Sequence, residues 1–204
     1  MGTREYLIAP WIRIWHWTNA ALILVLAVTG ISVHFADPAL PLVEFSLAIR
    51  IHNIAGVMLI GAYLFFFVAN IVSGNWWQFV PKPPGIWQRA FAQVKWYSFG
   101  IFKGEPSPHS PSKEEHFNVM QALTYRGVMY TLMPIVILSG LVYLYPQFAP
   151  DKLFGYDGLL PVAMLHYISA AAILLFLLSH IYLGTTGKTV GSMFKMMFTG
   201  WHEH

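Results

Sequence analysis

The sequence predicts an all-α integral membrane protein: a four-transmembrane-helix bundle with interfacial helices and both termini cytoplasmic. Three observations predict it. Four apolar runs are each long enough to cross about 30 Å of hydrocarbon as a helix. The composition is 56% hydrophobic and only 10% charged, with a mean hydropathy of +0.54, which sets the chain apart from soluble domains. Lys and Arg are also unevenly placed. Ten lie in the N-terminal tail, the 74–126 loop and the C-terminal tail, and only Arg50 and Lys152 lie in the two short loops between the other span ends. By the positive-inside bias, the ten-residue side is cytoplasmic.

At 204 residues the chain reads as one domain, 1–204. The first span is read at 14–34. Trp11, Trp15 and Trp17 at its start suit the headgroup level, and no small-residue cleavage site follows the run, so it reads as a span and not as a signal peptide. The second span is read at 49–73, with Trp76 and Trp77 just beyond it. The cytoplasmic loop 74–126 follows. Its stretch 86–102 mixes aromatics with Gln and Lys and suits an amphipathic helix on the membrane surface. The third span is read at 127–145, kinked by Pro134. The fourth is read at 162–184, and 193–201 reads as a short interfacial helix.

The fourth span holds two histidines, His166 and His180, fourteen residues apart. At about 1.5 Å rise and 100° per residue, both rings leave nearly the same face, roughly 21 Å apart. Topology supplies partners at matching depths. His16 opens the first span on the cytoplasmic side with His180. His52 opens the second span on the outer side with His166. His34, the other outer candidate, sits at the extreme end of its span beside Asp37, where an interfacial histidine needs no further role. His109, His116, His202 and His204 lie in loops or the tail and read as solvated.

Two pairs of histidines at two depths are the ligation wanted by two electron-carrying haems with both axial positions filled. The chain has no cysteine, which excludes a C-x-x-C-H attached haem, cysteine-held iron–sulfur clusters and disulfides. A zinc hydrolase would want three ligands at one depth and a carboxylate base, and no span contains a carboxylate. The net charge of +3 comes from residues at membrane edges, so it points to the lipid bilayer and not to nucleic acid. Gly30, Gly56 and Gly140 lie at outer-haem height and would leave room for a flat ligand. Arg13, Arg50 and Arg126 stand where haem propionates would lie, although membrane-edge anchoring accounts equally for Arg13 and Arg126.

Beyond these residues, the chain resembles the dihaem membrane cytochrome b family. That family includes the gamma subunit of formate dehydrogenase, the b-type subunit of nickel–iron hydrogenase and the thiosulfate reductase cytochrome b subunit. The resemblance covers nearly the whole chain. It rests on R-x-x-H-W from Arg13 to Trp17, then Thr29-Gly30, then the histidine opening the second span. Asn118-x-x-Gln121 before the third span, Ser139-Gly140 and the two histidines fourteen apart complete it. It implies two haem b groups, one held by His16 and His180 and one by His52 and His166. It also implies a quinone site (menaquinone or ubiquinone) near the cytoplasmic haem, formed by Asn118 and Gln121. The residues themselves allow a second role for that pair, as cap and N3 partner of the third helix. Where the formate dehydrogenase branch has a small residue between the two amides, this chain has Met120.

No residue is assigned a catalytic role, so the expected function is that of an electron-transfer subunit in a multi-pass bacterial inner-membrane complex. The family's partner is a periplasmic subunit carrying iron–sulfur, molybdopterin, nickel–iron or multihaem c-type centres, docked on the short outer loops. The alternatives are a stand-alone small b-type quinol oxidase reducing superoxide or oxygen, and a non-redox membrane anchor.

Overall fold

The computed structural model describes residues 4–36 and 42–203. Asp37 and the rest of 37–41, between the first two spans, lie outside the described residues, as does His204. Four helical stretches are long and apolar enough to cross a membrane: Pro10–His34, Phe45–Val72, Val119–Leu144 and Leu159–Gly184. They are α1 (Pro10–His34), α2 (Phe45–Val72), α4 (Val119–Gly127) continuing through a π turn into α5 (Met133–Leu144), and α6 (Leu159–Gly184). No more than 22% of any span's apolar window is buried inside the protein. The buried residues along these helices are often small or polar, including Thr29, Ser32, Asn70, Ser139 and Ser169, while Ile54, Phe65, Ile168 and Leu175 are exposed. This inverted pattern makes lipid the solvent.

The third span begins eight residues before its predicted start. Asn118 caps it: its side chain accepts from the Gln121 N–H while the Gln121 side chain accepts from the Asn118 N–H, a full capping box. The polar first turns of α4 dilute the apolar signal from which 127 was read. The π turn Val128–Leu132 immediately precedes Pro134. Proline lacks an N–H, and a π turn lets a carbonyl reach past the missing donor.

The chain divides into two compact units. The first comprises Met1–Arg13, Ala69–Thr131 and Leu178–His204. Here β1 (Arg4–Tyr6) pairs antiparallel with β4 (Trp201–Glu203), a sheet that the sequence reading lacks. Leu7 and Ile8 both donate to the Gly200 carbonyl, and Arg13 donates to the Phe198 carbonyl at the end of α7 (Ser192–Thr199). A cation against the last carbonyls of a helix is favourable. The amphipathic helix forms as α3 (Ile86–Lys95), extended by a π turn and a 3-10 turn to Lys103. Trp87, Phe91 and Val94 form an exposed apolar stripe, while Gln93 on the opposite side is buried. That is the arrangement of a helix resting on a membrane surface.

The second unit comprises Ile14–Val68 and Leu132–Leu177. Trp15 joins α1 to α2 by stacking on buried Phe66 and donating its indole N–H to the Ala62 carbonyl at 3.0 Å. Glu44 caps α2 by accepting from the Ser46 and Leu47 N–H groups, which hold its carboxyl below its ordinary pKa. Between α5 and α6, β2 (Lys152–Leu153) and β3 (Tyr156–Asp157) form a short hairpin. Phe154 and Gly155 both take positive φ in its turn, as a two-residue hairpin loop requires.

Gly200 has φ +85°, and a Cβ there would stand 2.6 Å from the Tyr6 ring and 2.8 Å from the Ile8 carbonyl oxygen. Gly200→Ala should therefore cost about 1–3 kcal/mol. The expected readout is a lower melting temperature with faster amide exchange at Leu7 and Ile8. Unchanged exchange there would count against the clasp between β1 and β4.

Candidate functional site

A polar grouping centred on two histidines lies inside the spans of the second unit. The His52 ring on α2 faces the His166 ring on α6, with centroids 6.4 Å apart and planes at 73°. Each ring is held from behind by a neighbouring helix. Thr29 Oγ1 on α1 lies 2.9 Å from His52 Nδ1. Ser139 Oγ on α5 lies 3.0 Å from His166 Nδ1, which also lies 3.1 Å from the Val136 carbonyl oxygen. The glycine after each hydroxyl residue gives the ring its space. A Cβ on Gly30 would stand 3.3 Å from His52 Cε1, and one on Gly140 would stand 3.1 Å from His166 Cε1. Sequence reasoning assigned these two glycines to the clearance of a flat ligand. Their nearest neighbours are the imidazole edges. A Cβ on Gly56 would meet nothing within 4 Å, so that position does open onto free space.

The spacing of the two rings has a chemical meaning. An imidazole nitrogen lies about 1.2 Å from its ring centre, and a metal–imidazole bond is about 2 Å. Two imidazoles that held one metal between them would therefore have centres about 6.4 Å apart, and 6.4 Å is what His52 and His166 show. Among the described residues, no three His, Asp or Glu side chains converge. His34 is directed elsewhere: it stacks on Tyr167 with centroids 4.3 Å apart.

His16 belongs to the same unit, edge-on to Trp17. His180 belongs to the other, where its Nδ1 lies 3.3 Å from the Tyr125 hydroxyl. Tyr125 in turn meets Phe117 edge-to-face. Asn118 and Gln121 occupy the same unit as His180, and most of their bonding capacity is already used. The two form the capping box described above, and Asn118 Nδ2 also donates to the Tyr97 hydroxyl at 2.9 Å. Burial raises the pKa of Tyr97, so it remains a neutral phenol. Asn118 borders a cleft of about 300 Å³ together with Gln93, Arg89 and His109, whereas Gln121 does not.

The candidate propionate partners are arranged differently. Arg13 is engaged by the Phe198 carbonyl. Arg50 donates to Ser46 Oγ one turn earlier at 3.0 Å. Arg126 is exposed. His109 and His116 are half-buried, contrary to their solvated reading, because the loop folds back on itself. Arg89 bridges Glu115 at 2.7 Å, and the His116 N–H donates to Gln78. Burial lowers the pKa of both histidines, with the Glu115 charge opposing it at His109 and Glu5 opposing it at His116.

Residues 8–200 match the family described as prokaryotic cytochrome b561. The chain is also 36% identical to the Escherichia coli (strain K12) protein named "Putative cytochrome YdhU" over 203 residues, covering 100% of this chain and 76% of that one.

Two outcomes follow from the loop and its cap. Asn118→Ala should cost about 1 kcal/mol in thermal unfolding, and Asn118→Asp should recover most of it. The pH dependence also has a sign. The unfolded chain takes up protons at the ordinary histidine pKa of about 6.5, whereas folded His109 and His116 take them up only at lower pH. Their contribution is therefore intact above about pH 6.5 and lost as pH falls through the folded values. Melting temperature should drop between pH 7.5 and 5, and His109→Gln should flatten that slope. A pH-independent melting temperature would contradict the buried, neutral assignment.

Proposed function

The chain belongs to the prokaryotic cytochrome b561 family of membrane b-type cytochromes that carry electrons, and from that premise we propose that it is a dihaem electron-transfer subunit. In this reading it passes electrons between the quinone pool and a redox partner on the periplasmic side. The carrying observation is the His52–His166 pair, two imidazoles at the separation that an iron held between them would require. Haem b supplies a one-electron carrier when bound there. The chain's own residues would bind and orient it: His52 and His166 would hold the iron, with Gly30 and Gly140 allowing each ring to approach its supporting helix.

The second proposed haem is held by His180 and His16. This pairing rests on their matched depth in the topology read from the sequence. Tyr125 adds support, since its hydroxyl offers the His180 ring a partner at Nδ1. The quinone role proposed for Asn118 and Gln121 is compatible with the cap, because the second hydrogen of Asn118 Nδ2 is not used by its bond to Tyr97. Asn118 also borders an open cleft of about 300 Å³, at the low end for a small-molecule site. In this reading both termini and the 74–126 loop lie in the cytoplasm of a bacterial inner-membrane protein, and the lysine and arginine distribution supports that orientation. The partner in this reading is a periplasmic iron–sulfur, molybdopterin, nickel–iron or multihaem c-type subunit docked on the opposite loops.

The test is optical. Purified protein should show a Soret band with two haem b per chain. His180→Ala should leave one haem and abolish quinol reactivity, and His52→Ala should remove the other haem. A haem count that does not change in His180→Ala would sink the two-site assignment, and absence of any Soret band would sink the cytochrome reading for this chain.

A further inference from the structure

Thr29 and Ser139 stand in the same relation to the two facing imidazoles, and their hydrogen bonds locate protons that no haem is needed to assign. Thr29 Oγ1 donates its one proton to the Val25 carbonyl at 2.7 Å. Ser139 Oγ donates its one proton to the Ile135 carbonyl at 2.7 Å. Each hydroxyl, its proton committed one turn back, meets the ring nitrogen as an acceptor. The carbonyl contacts agree. Val136 O lies 3.1 Å from His166 Nδ1, and a carbonyl can only accept. His52 likewise hydrogen-bonds the Leu26 backbone, which holds the corresponding place on α1, three residues before the hydroxyl. Both rings therefore carry their proton on Nδ1, and both Nε2 atoms keep a bare lone pair. That is the tautomer an axial imidazole needs.

We propose that Thr29 and Ser139 are positioning residues for one and the same haem: each hydroxyl accepts the Nδ1–H of its histidine, holds the ring in the metal-binding tautomer and raises the basicity of Nε2. The inference rests on the haem reading of His52 and His166. Its physical basis is general. An outer acceptor on a ligating imidazole orients the ring, strengthens its donation and thereby favours the more highly charged metal. A hydroxyl does this without placing a carboxylate charge in the membrane, where ionised groups are costly. The following glycine in each Thr29-Gly30 and Ser139-Gly140 pair lets the ring edge lie close enough to reach the oxygen.

The experiment is potentiometric titration and low-spin EPR of the purified wild-type protein, Thr29→Val, Ser139→Ala and Thr29→Ser. Valine has the shape of threonine without the oxygen. Two haem components are expected in the wild type. Thr29→Val and Ser139→Ala should each raise the midpoint potential of the same component, with a changed EPR signal for that component, and leave the other unmoved. Thr29→Ser should titrate as wild type. If Thr29→Val loses that haem outright, Thr29→Ser must retain it. The inference falls if both haems titrate unchanged in Thr29→Val and Ser139→Ala. It also falls if the two variants shift different components or both components, or if Thr29→Ser behaves like Thr29→Val. In those cases the haem reading stands. A wild type that binds no haem overturns both.

Discussion

A polar atom inside a hydrocarbon layer has no water to turn to, and most of this structure's internal detail answers that constraint. The hydroxyls of Thr29, Ser32, Ser139 and Ser169 each donate to a carbonyl one turn back along their own helix. The carbonyls upstream of Pro134 meet a π turn. Asn70 is fully buried and bonds Tyr130 and Asn75. The two histidines of the second unit are held the same way, by hydroxyl and carbonyl together. What distinguishes them is that they come as a pair, with the His52 ring on α2 and the His166 ring on α6 only 6.4 Å apart between centroids. A purely structural histidine has no need of a second histidine at that separation.

The spans and the depth of the histidines were legible in the sequence because both follow from one-dimensional quantities: run length, and distance from the end of a run. The expectation of His52 over His34 as a ligand rests on that depth, and in the structure His34 stacks on Tyr167 while His52 lies against His166. The start of the third span was not legible by hydropathy, since Asn118, Gln121, Thr124 and Arg126 are polar. It was legible by chemistry, in the Asn118-x-x-Gln121 capping pattern. The partnership of Thr29 and Ser139 with the rings left only a faint trace, a hydroxyl residue followed by glycine on two separate helices. Nothing local shows that such a dipeptide lies level with a histidine 23 or 27 residues later, because that depends on how the helices pack.

The first unit went beyond sequence reasoning for a different reason. Three-residue strands such as Arg4–Tyr6 and Trp201–Glu203 are too short to carry an alternating pattern, and their pairing joins opposite ends of the chain. His109 and His116 look like ordinary loop residues until Arg89 and Gln78 draw the loop inward. The amphipathic character of α3, by contrast, was plain in its composition. Only its inversion had to be seen in three dimensions, with glutamine inside and Trp87 and Phe91 outside.

Two imidazoles with no third His, Asp or Glu beside them among the described residues make a poor home for a loose metal ion. Zinc asks a structural site for four ligands and a catalytic site for three. Among the described residues the pair offers two. The arrangement therefore discriminates by coordination number. A site of that kind would hold a naked ion poorly and would favour one that brings its own equatorial donors, so discrimination against trace zinc would follow from the proposed pair itself.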